Sequence, residues 1–266
     1  MKQFCYALIL GSLLVTACFA DTGCFILTQN EEILTQEGDC DTRRSCCSTF
    51  KIAISLMGYN EGILKDELQP QVPYQEGYYA LLDSWKQPHD PSLWMKNSCV
   101  WYSQWITKQI GMPKFEDYVK KFDYGNGDVS GDEGKGNGLT NSWLSSSLKI
   151  SPKEQTIFIK KLIDGKLPVS STAHEMTKRI LFVSNIDCSW RLFGKTGSGY
   201  LLKPDGSRDE NRQIGWFVGW VQRGNNHVVF AHSIQDDRKH GALAGKRAKD
   251  SAIEKLTNFV DTCLKK

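Results

Sequence analysis

The chain has 266 residues, 40% of them apolar and 24% charged, so it can bury a real core in one large domain or two closely packed lobes and is not a disordered protein. Its formal charge of +3 falls to +2 (3 − 1) when residues 1–20, with their single lysine and no acid, are set aside, and that near-balance gives no electrostatic case for nucleic acid. Past residue 20 no run approaches the ~18 to 20 continuous apolar residues that span a bilayer, so no membrane span is expected.

The opening stretch, "MKQFCYALILGSLLVTACFA", has Lys2, an apolar run from Phe4 and small residues ending at Ala20, the pattern of an export signal. The mature chain then begins near Asp21. Within the same stretch "VTAC" also fits a lipoprotein signal that leaves a lipidated Cys18. Of nine cysteines, Cys5 and Cys18 go with the signal; Cys24, Cys40, Cys46, Cys47, Cys99, Cys188 and Cys263 remain, an odd number that leaves at least one thiol unpaired. In an oxidising compartment the local spacing favours a disulfide between Cys40 and either Cys46 or Cys47. No paired C-x-x-C elements occur and the histidines are scattered, so no metal is expected.

"GCFILTQNEEILTQEG" reads as two short strands bent at Gln29 to Glu31. In "STFKIAISLMGYN" the residues Phe50, Ile54 and Met57 recur at helical intervals, with Gly58 and Asn60 as stop signals. From about 61 to 187 strand alternation is absent, and helices are expected at "CVWYSQWITKQIG", "FEDYVKKF" and "SPKEQTIFIKKLIDG", the last with a capping box from Ser151 to Glu154. After Cys188 strands return: "SWRLFGKTGSGYLL", then "QIGWFVGWVQRG" and "NHVVFAHSIQ" as a hairpin across "RGNN". "RAKDSAIEKLTNFVDTCLKK" closes the chain as an amphipathic helix. The expected fold is of the α/β (α+β) type: an antiparallel sheet built from both chain ends, about 21–60 and 188–266, flanked by helices, with an inserted helical lobe over about 61–187 and a site in the cleft between.

Ser48 and Lys51 form an S-x-x-K pair, but 22 serines and 24 lysines in 266 residues give roughly two such pairs by chance, and a second is present at Ser146 and Lys149. Context separates them. Ser48 stands where loop becomes helix, with helix-terminal N–H groups able to stabilise negative charge, and Lys51 follows one turn later on the same face. A serine hydroxyl becomes a useful nucleophile when a base takes its proton, and a lysine serves as that base once an apolar pocket favours its neutral form. A second signal, Lys195-Thr196-Gly197 in "GKTGSG", is expected by chance roughly a tenth of a time and ends a strand pattern, where Lys195 presents a cation and Gly197 lets a substrate approach the backbone.

"STFK" at Ser48 to Lys51, "SCVW" at Ser98 to Trp101, "YGN" at Tyr124 to Asn126 and "KTG" at Lys195 to Gly197 occur in the order and rough spacing of the class D, oxacillinase-type serine β-lactamases, which the chain resembles over nearly its whole mature length. "NGLTNSWLSSSLKISPKEQ" likewise resembles the loop and helix that carry a family tryptophan, here Trp143. Related penicillin-recognising enzymes carry Ser-Asp-Asn in the middle of the set; Ser98-Cys99-Val100 and Tyr-Gly-Asn stand here instead, which points to class D rather than class A.

The resemblance implies a penicillin-recognising transpeptidase-like fold and hydrolysis of β-lactam antibiotics in the bacterial periplasm, conferring resistance. It makes Ser48 the acylated nucleophile and Lys51 a lysine carboxylated by carbon dioxide, the base for acylation and deacylation, with no other cofactor. Trp143, which offers an N–H and no acceptor, would steady the carbamate, and Val100 would keep its pocket dry. Ser98 would pass a proton to the leaving ring nitrogen; Lys195 and Thr196 would hold the substrate carboxylate. The backbone N–H groups of Ser48 and Ser198 would form the oxyanion hole. Tyr124 and Asn126 would shape the site, and Arg238, with Lys239 one register away, stands near the place of a family arginine that binds the carboxylate. The rival function is a drug-acylated sensor of the same fold that releases drug slowly, and a cell-wall peptidase is a third reading. Two further patterns fail on spacing: "NGDVSG" lacks the glutamate that closes a calcium loop, and "HEMTKR" lacks the second histidine of a zinc protease.

Overall fold

A computed structural model describes residues 23–186 and 189–263. The stretch expected to be an export signal, residues 1–20 with Cys18, lies outside them, as do Cys188 and the side chain of Cys263. Strands β1 (Cys24–Gln29) and β2 (Glu32–Gly38) form the first hairpin. Asn30 and Glu31 make its two-residue turn with φ of 49° and 72°, the left-handed values whose twist matches that of the strands. A two-residue strand β3 (Arg44–Ser45) leads into a 3-10 turn, Cys47–Phe50, that runs directly into α1 (Lys51–Asn60).

The helices that follow are α2 (Pro91–Asn97), α3 (Val100–Ile110), α4 (Met112–Lys121) and the single-turn α5 (Gly138–Asn141). Strand β4 (Lys149–Ile150) pairs with β3 and precedes α6 (Pro152–Ile163) and α7 (Ser171–Ile180). The capping box of α6 is present: Ser151 Oγ accepts from Glu154 N at 3.2 Å and Ser151 N donates to Glu154 at 2.8 Å. Four strands and a helix complete the chain: β5 (Phe182–Asn185), β6 (Arg191–Leu202), β7 (Arg208–Arg223), β8 (Asn226–Gln235) and α8 (Ala244–Cys263).

The main sheet is antiparallel in the order β2-β1-β8-β7-β6-β5, so strands from the two ends of the chain meet where β1 lies against β8. One face is covered by α8, whose Ala248, Ala252, Leu256 and Val260 bury against Phe217, Phe230 and Leu192. On the other face lies the larger core, built from α1, α3, α4 and α6 with Trp216, Val218 and Trp220 of the sheet. α1, which the sequence assigns to the sheet portion, packs against α3, α4 and α7, while α6 lies against β1, β7 and β8.

Two local expectations are corrected. The disulfide joins Cys24 to Cys40, with Cα atoms 5.1 Å apart, and not Cys40 to Cys46 or Cys47. The β1–β2 ladder, extended by Asp39 N donating to Gly23 O, folds Cys40 back onto Cys24, whereas Cys46 and Cys47 are drawn into the core and stay free. β5 was expected within the helical portion, but Phe182, Ser184 and Asn185 pair with β6 directly after α7, with no glycine or proline between.

Candidate active site

The uncovered edge of β6 positions the site. β5 pairs with β6 only as far as Phe193, leaving that edge of β6 without a partner strand among the described residues from Lys195 onward, and the 3-10 turn carrying Ser48 packs over the face of β6 and β7. A Cβ on Gly197 would stand 3.2 Å from Cys46 O, Cys47 Cβ and Thr49 Cγ2, so its lack of a side chain lets the turn that carries Ser48 sit against the strand. Gly197 thus makes room for the protein's own chain on this face of β6.

Ser48 lies in the turn, 9% exposed, and Lys51 begins α1 with its side chain fully buried. Lys51 Nζ and Ser48 Oγ are 3.1 Å apart. Burial pushes the Lys51 ammonium down to about 8. Cys47 and Cys99 are near enough to Lys51 to act on its charge, but burial raises both thiols to about 11, so at neutral pH they supply no anion to hold it charged. The other S-x-x-K pair is unrelated: Ser146 Oγ donates to Asp132 at 2.8 Å and Lys149 is exposed on β4.

Ser98 occupies the junction of α2 and α3 in a left-handed conformation, φ 58° and ψ 32°. Lys195 Nζ, on a side chain 3% exposed, reaches it with a 2.9 Å bond to Ser98 Oγ and also meets Thr196 O at 3.0 Å and Thr196 Oγ1 at 3.3 Å. Burial, then the charges of Lys51 and Lys249, lower the proton affinity of Lys195 well below that of a free lysine. Ser48, Ser98, Val100, Thr196 and Ser198 line one cleft of about 480 Å³. A second groove, about 450 Å³ between the first hairpin and α6, contains none of the predicted site residues.

Trp143 is fully buried with its ring 5.7 Å from that of Phe50 and 6.2 Å from that of Phe115. Among the described residues its Nε1 has no hydrogen-bond partner, a condition shared by Ser142 Oγ and Gln155 Oε1. Tyr124 is buried against the Cys47–Phe50 turn, its ring 5.0 Å from that of Phe50, and Gln155 Nε2 reaches Thr49 Oγ1 at 2.9 Å and the Tyr124 hydroxyl at 3.4 Å. Asn126 ties its loop to β4: its side chain donates to Ser147 O and accepts from Lys149 N, both at 2.9 Å. Ser198 Oγ accepts from Gly245 N at 2.9 Å, docking the start of α8 on β6.

Arg238 is not brought into the cleft. It is exposed on the segment between β8 and α8, and the basic residues lining the cleft are Lys96, Arg208, Lys246 and Lys249. The bonds from Gly245 to Ser198 and from Ala244 to Gln213 bring α8, not the segment before it, against the site. Lys246 and Lys249 stand one helical turn apart, a spacing the sequence offered but that points to the cleft only once the start of α8 is located. His174, in "HEMTKR", directs both ring nitrogens at carbonyl oxygens of Leu162 and Leu167, 3.0 Å each, and holds a loop.

A sheet-edge lysine reaching one serine, opposite a second serine paired to a buried lysine, defines a serine enzyme of the penicillin-recognising fold. Residues 23–255 match the family described as penicillin binding protein transpeptidase domain. The chain is 41% identical over 225 residues to β-lactamase OXA-9 of Klebsiella pneumoniae, covering 84% of this chain and 82% of that one. It is 38% identical over 242 residues to β-lactamase OXA-1 of Escherichia coli, covering 89% and 84%. The crystal structure of the class D β-lactamase OXA-427 superposes with a TM-score of 0.86 at 42% identity, covering 90% of this chain and 99% of that one. The chain belongs to the transpeptidase-domain family and, within it, to the class D β-lactamases.

Proposed function

We propose that the protein hydrolyses the amide of β-lactam antibiotics through an ester of Ser48, and so confers resistance on a bacterium that exports it to the periplasm with residues 1–20 as the signal. The observation that carries this reading is the pair of serine–lysine contacts at one cleft, Ser48 with Lys51 at 3.1 Å and Ser98 with Lys195 at 2.9 Å. Ser48 Oγ attacks the lactam carbonyl while its proton passes to the base at Lys51 Nζ, which afterwards makes good the proton lost by Ser98, and the ring C–N bond breaks. Ser98 hands its proton to the departing nitrogen, and Lys195, its hydrogen-bond donor, stabilises the oxygen left behind. The N–H groups of Ser48 and Ser198 receive the carbonyl oxygen. Water then cleaves the ester and restores the Ser48 hydroxyl.

Lys51 is the residue we assign to carboxylation. Carbon dioxide adds to a neutral amine, and burial that brings Lys51 to about 8 makes the neutral form accessible near physiological pH. A carboxyl group on Nζ supplies, when present, the general base for both half-reactions. The residues fit it: Val100 keeps water away, and the unpartnered Trp143 Nε1 is a buried donor in need of an acceptor. The anion would also turn the repulsion between Lys51 and Lys195 into attraction.

Turnover tests the reading. Purified protein mixed with excess benzylpenicillin should destroy many equivalents, and bicarbonate should raise the rate. Consumption that stops near one equivalent would replace the hydrolase with a drug-acylated sensor.

A further inference from the structure

We propose that Ser45 and Ser145 are positioning residues for Trp143: their hydroxyls seat the turn that carries it between β3 and β6, and so fix where the indole N–H meets a carboxyl group on Lys51. The proposal rests on the carboxylation reading above and assigns two residues to it. Trp143 lies in a segment, 142–147, that is neither helix nor strand, so no regular ladder holds its backbone. Ser45 does this from β3. Its Oγ donates to Trp143 O at 3.2 Å and accepts from Ser145 N at 3.0 Å, gripping the turn on both sides of Leu144. Ser45 is itself fixed, by pairing with Lys149 on β4 and by the buried Trp216 of β7, whose Nε1 donates to Ser45 O at 2.9 Å.

The turn is held from a second side. Ser145, with a left-handed φ of 55°, accepts from Tyr200 N through its Oγ at 3.0 Å. N–H groups two residues apart on a strand point the same way, so Tyr200 N shares its side of β6 with Ser198 N, the proposed oxyanion donor. Gly199 makes the approach possible, since a Cβ there would stand 2.5 Å from Ser145 Oγ. One turn thus joins the strand that carries the oxyanion donor to the residue assigned to the carbamate.

Phe50 and Phe115 pack near the indole, but apolar contact is non-directional and does not aim an N–H. A hydrogen bond weakens steeply as its angle departs from the best, so the backbone that carries the donor has to be held. Removing the Ser45 hydroxyl releases Trp143 O and Ser145 N together and lets the indole shift while its aromatic neighbours stay.

Carbon-13 NMR of protein freed of carbon dioxide and titrated with labelled bicarbonate reads carboxylation without turnover. Ser45→Ala should need about tenfold more bicarbonate than wild type for a half-maximal carbamate signal, the loss expected when a hydrogen bond to a charged group is misaligned, and Ser45→Thr should restore it. Ser145→Gly, which suits a φ of 55° and removes the hydroxyl that meets Tyr200 N, should move the half-point the same way by about threefold. In a Trp143→Phe background neither change should shift it further, because both act through the indole. A half-point unmoved in Ser45→Ala, or moved equally in the Trp143→Phe background, would overturn the proposal; should Ser45→Ala fail to fold, the Ser145→Gly titration decides in the same way. A wild-type protein that gives no carbamate signal would instead overturn the carboxylation reading, and with it the proposal.

Discussion

Replacing Trp143 by phenylalanine removes one N–H and keeps an aromatic ring among Phe50 and Phe115. The indole nitrogen is buried without a partner, and such a group costs about 1–3 kcal/mol in lost hydration. Phenylalanine avoids that cost but leaves a space where the larger indole stood, at about 0.8 kcal/mol for each CH2-sized group removed. The two effects oppose each other, so in buffer freed of carbon dioxide the variant should unfold within about 1 kcal/mol of wild type. With bicarbonate present they should part company. A charge-assisted hydrogen bond is worth about 1.5–3 kcal/mol, or roughly ten- to hundredfold in a rate it supports. Mass spectrometry of the penicilloyl adduct over time should show slow deacylation and accumulated ester in the variant. If bicarbonate accelerates the variant as much as wild type, Trp143 is not the donor for the Lys51 carbamate.

Ser48→Ala should form no adduct with benzylpenicillin while keeping the wild-type melting curve, since its hydroxyl contacts Lys51 and little else; an adduct on another residue would displace Ser48 as nucleophile. Lys51 binds a proton more weakly folded, at about 8, than unfolded, near 10.5, so its contribution to stability falls as pH drops toward 8 and grows as pH rises between those values. Denaturant unfolding of uncarboxylated protein at either end of that range should show Lys51→Met losing a rise on the order of 3 kcal/mol; parallel curves would refute the burial argument. Changing Cys24 and Cys40 together to serine should lower stability by roughly 3 kcal/mol and leave turnover of the remaining folded protein intact; peptide mapping that joins Cys40 to Cys46 or Cys47 would contradict the structure.

Much of the fold was legible where side-chain periodicity and local chemistry agree. The β1–β2 and β7–β8 hairpins, the capping box at Ser151 and the final helix all announce themselves within a few residues. What escaped depends on contacts distant in sequence. β5 is four residues long, and its pairing with β6 decides it, not its composition. The charged start of β7 is a strand because Arg208 and Asp209 pair with Leu202 and Leu201, with Glu210 to Arg212 in a register shift before Gln213 meets Tyr200. Cys40 finds Cys24 through the ladder, although Cys46 is nearer along the chain. At the site, the motifs located both serines and their lysines, since each motif spans a single turn or strand. Two of the cleft's other cations, Lys246 and Lys249, lie on α8, and their register against β6 is set by bonds from Ser198 and Gln213 that no local pattern encodes.

Ser98 and Cys47, one in each half of the site, both hold left-handed backbone angles, with φ of 58° and 50°. A glycine would adopt either angle freely, while a residue with a side chain does so at a cost of about 1 kcal/mol or more. At position 98 the hydroxyl that meets Lys195 is the return on that strain. Selection for robustness and selection for turnover would therefore pull in opposite directions there: the sturdiest version of this junction between α2 and α3 is one that has lost the hydroxyl proposed as the proton relay.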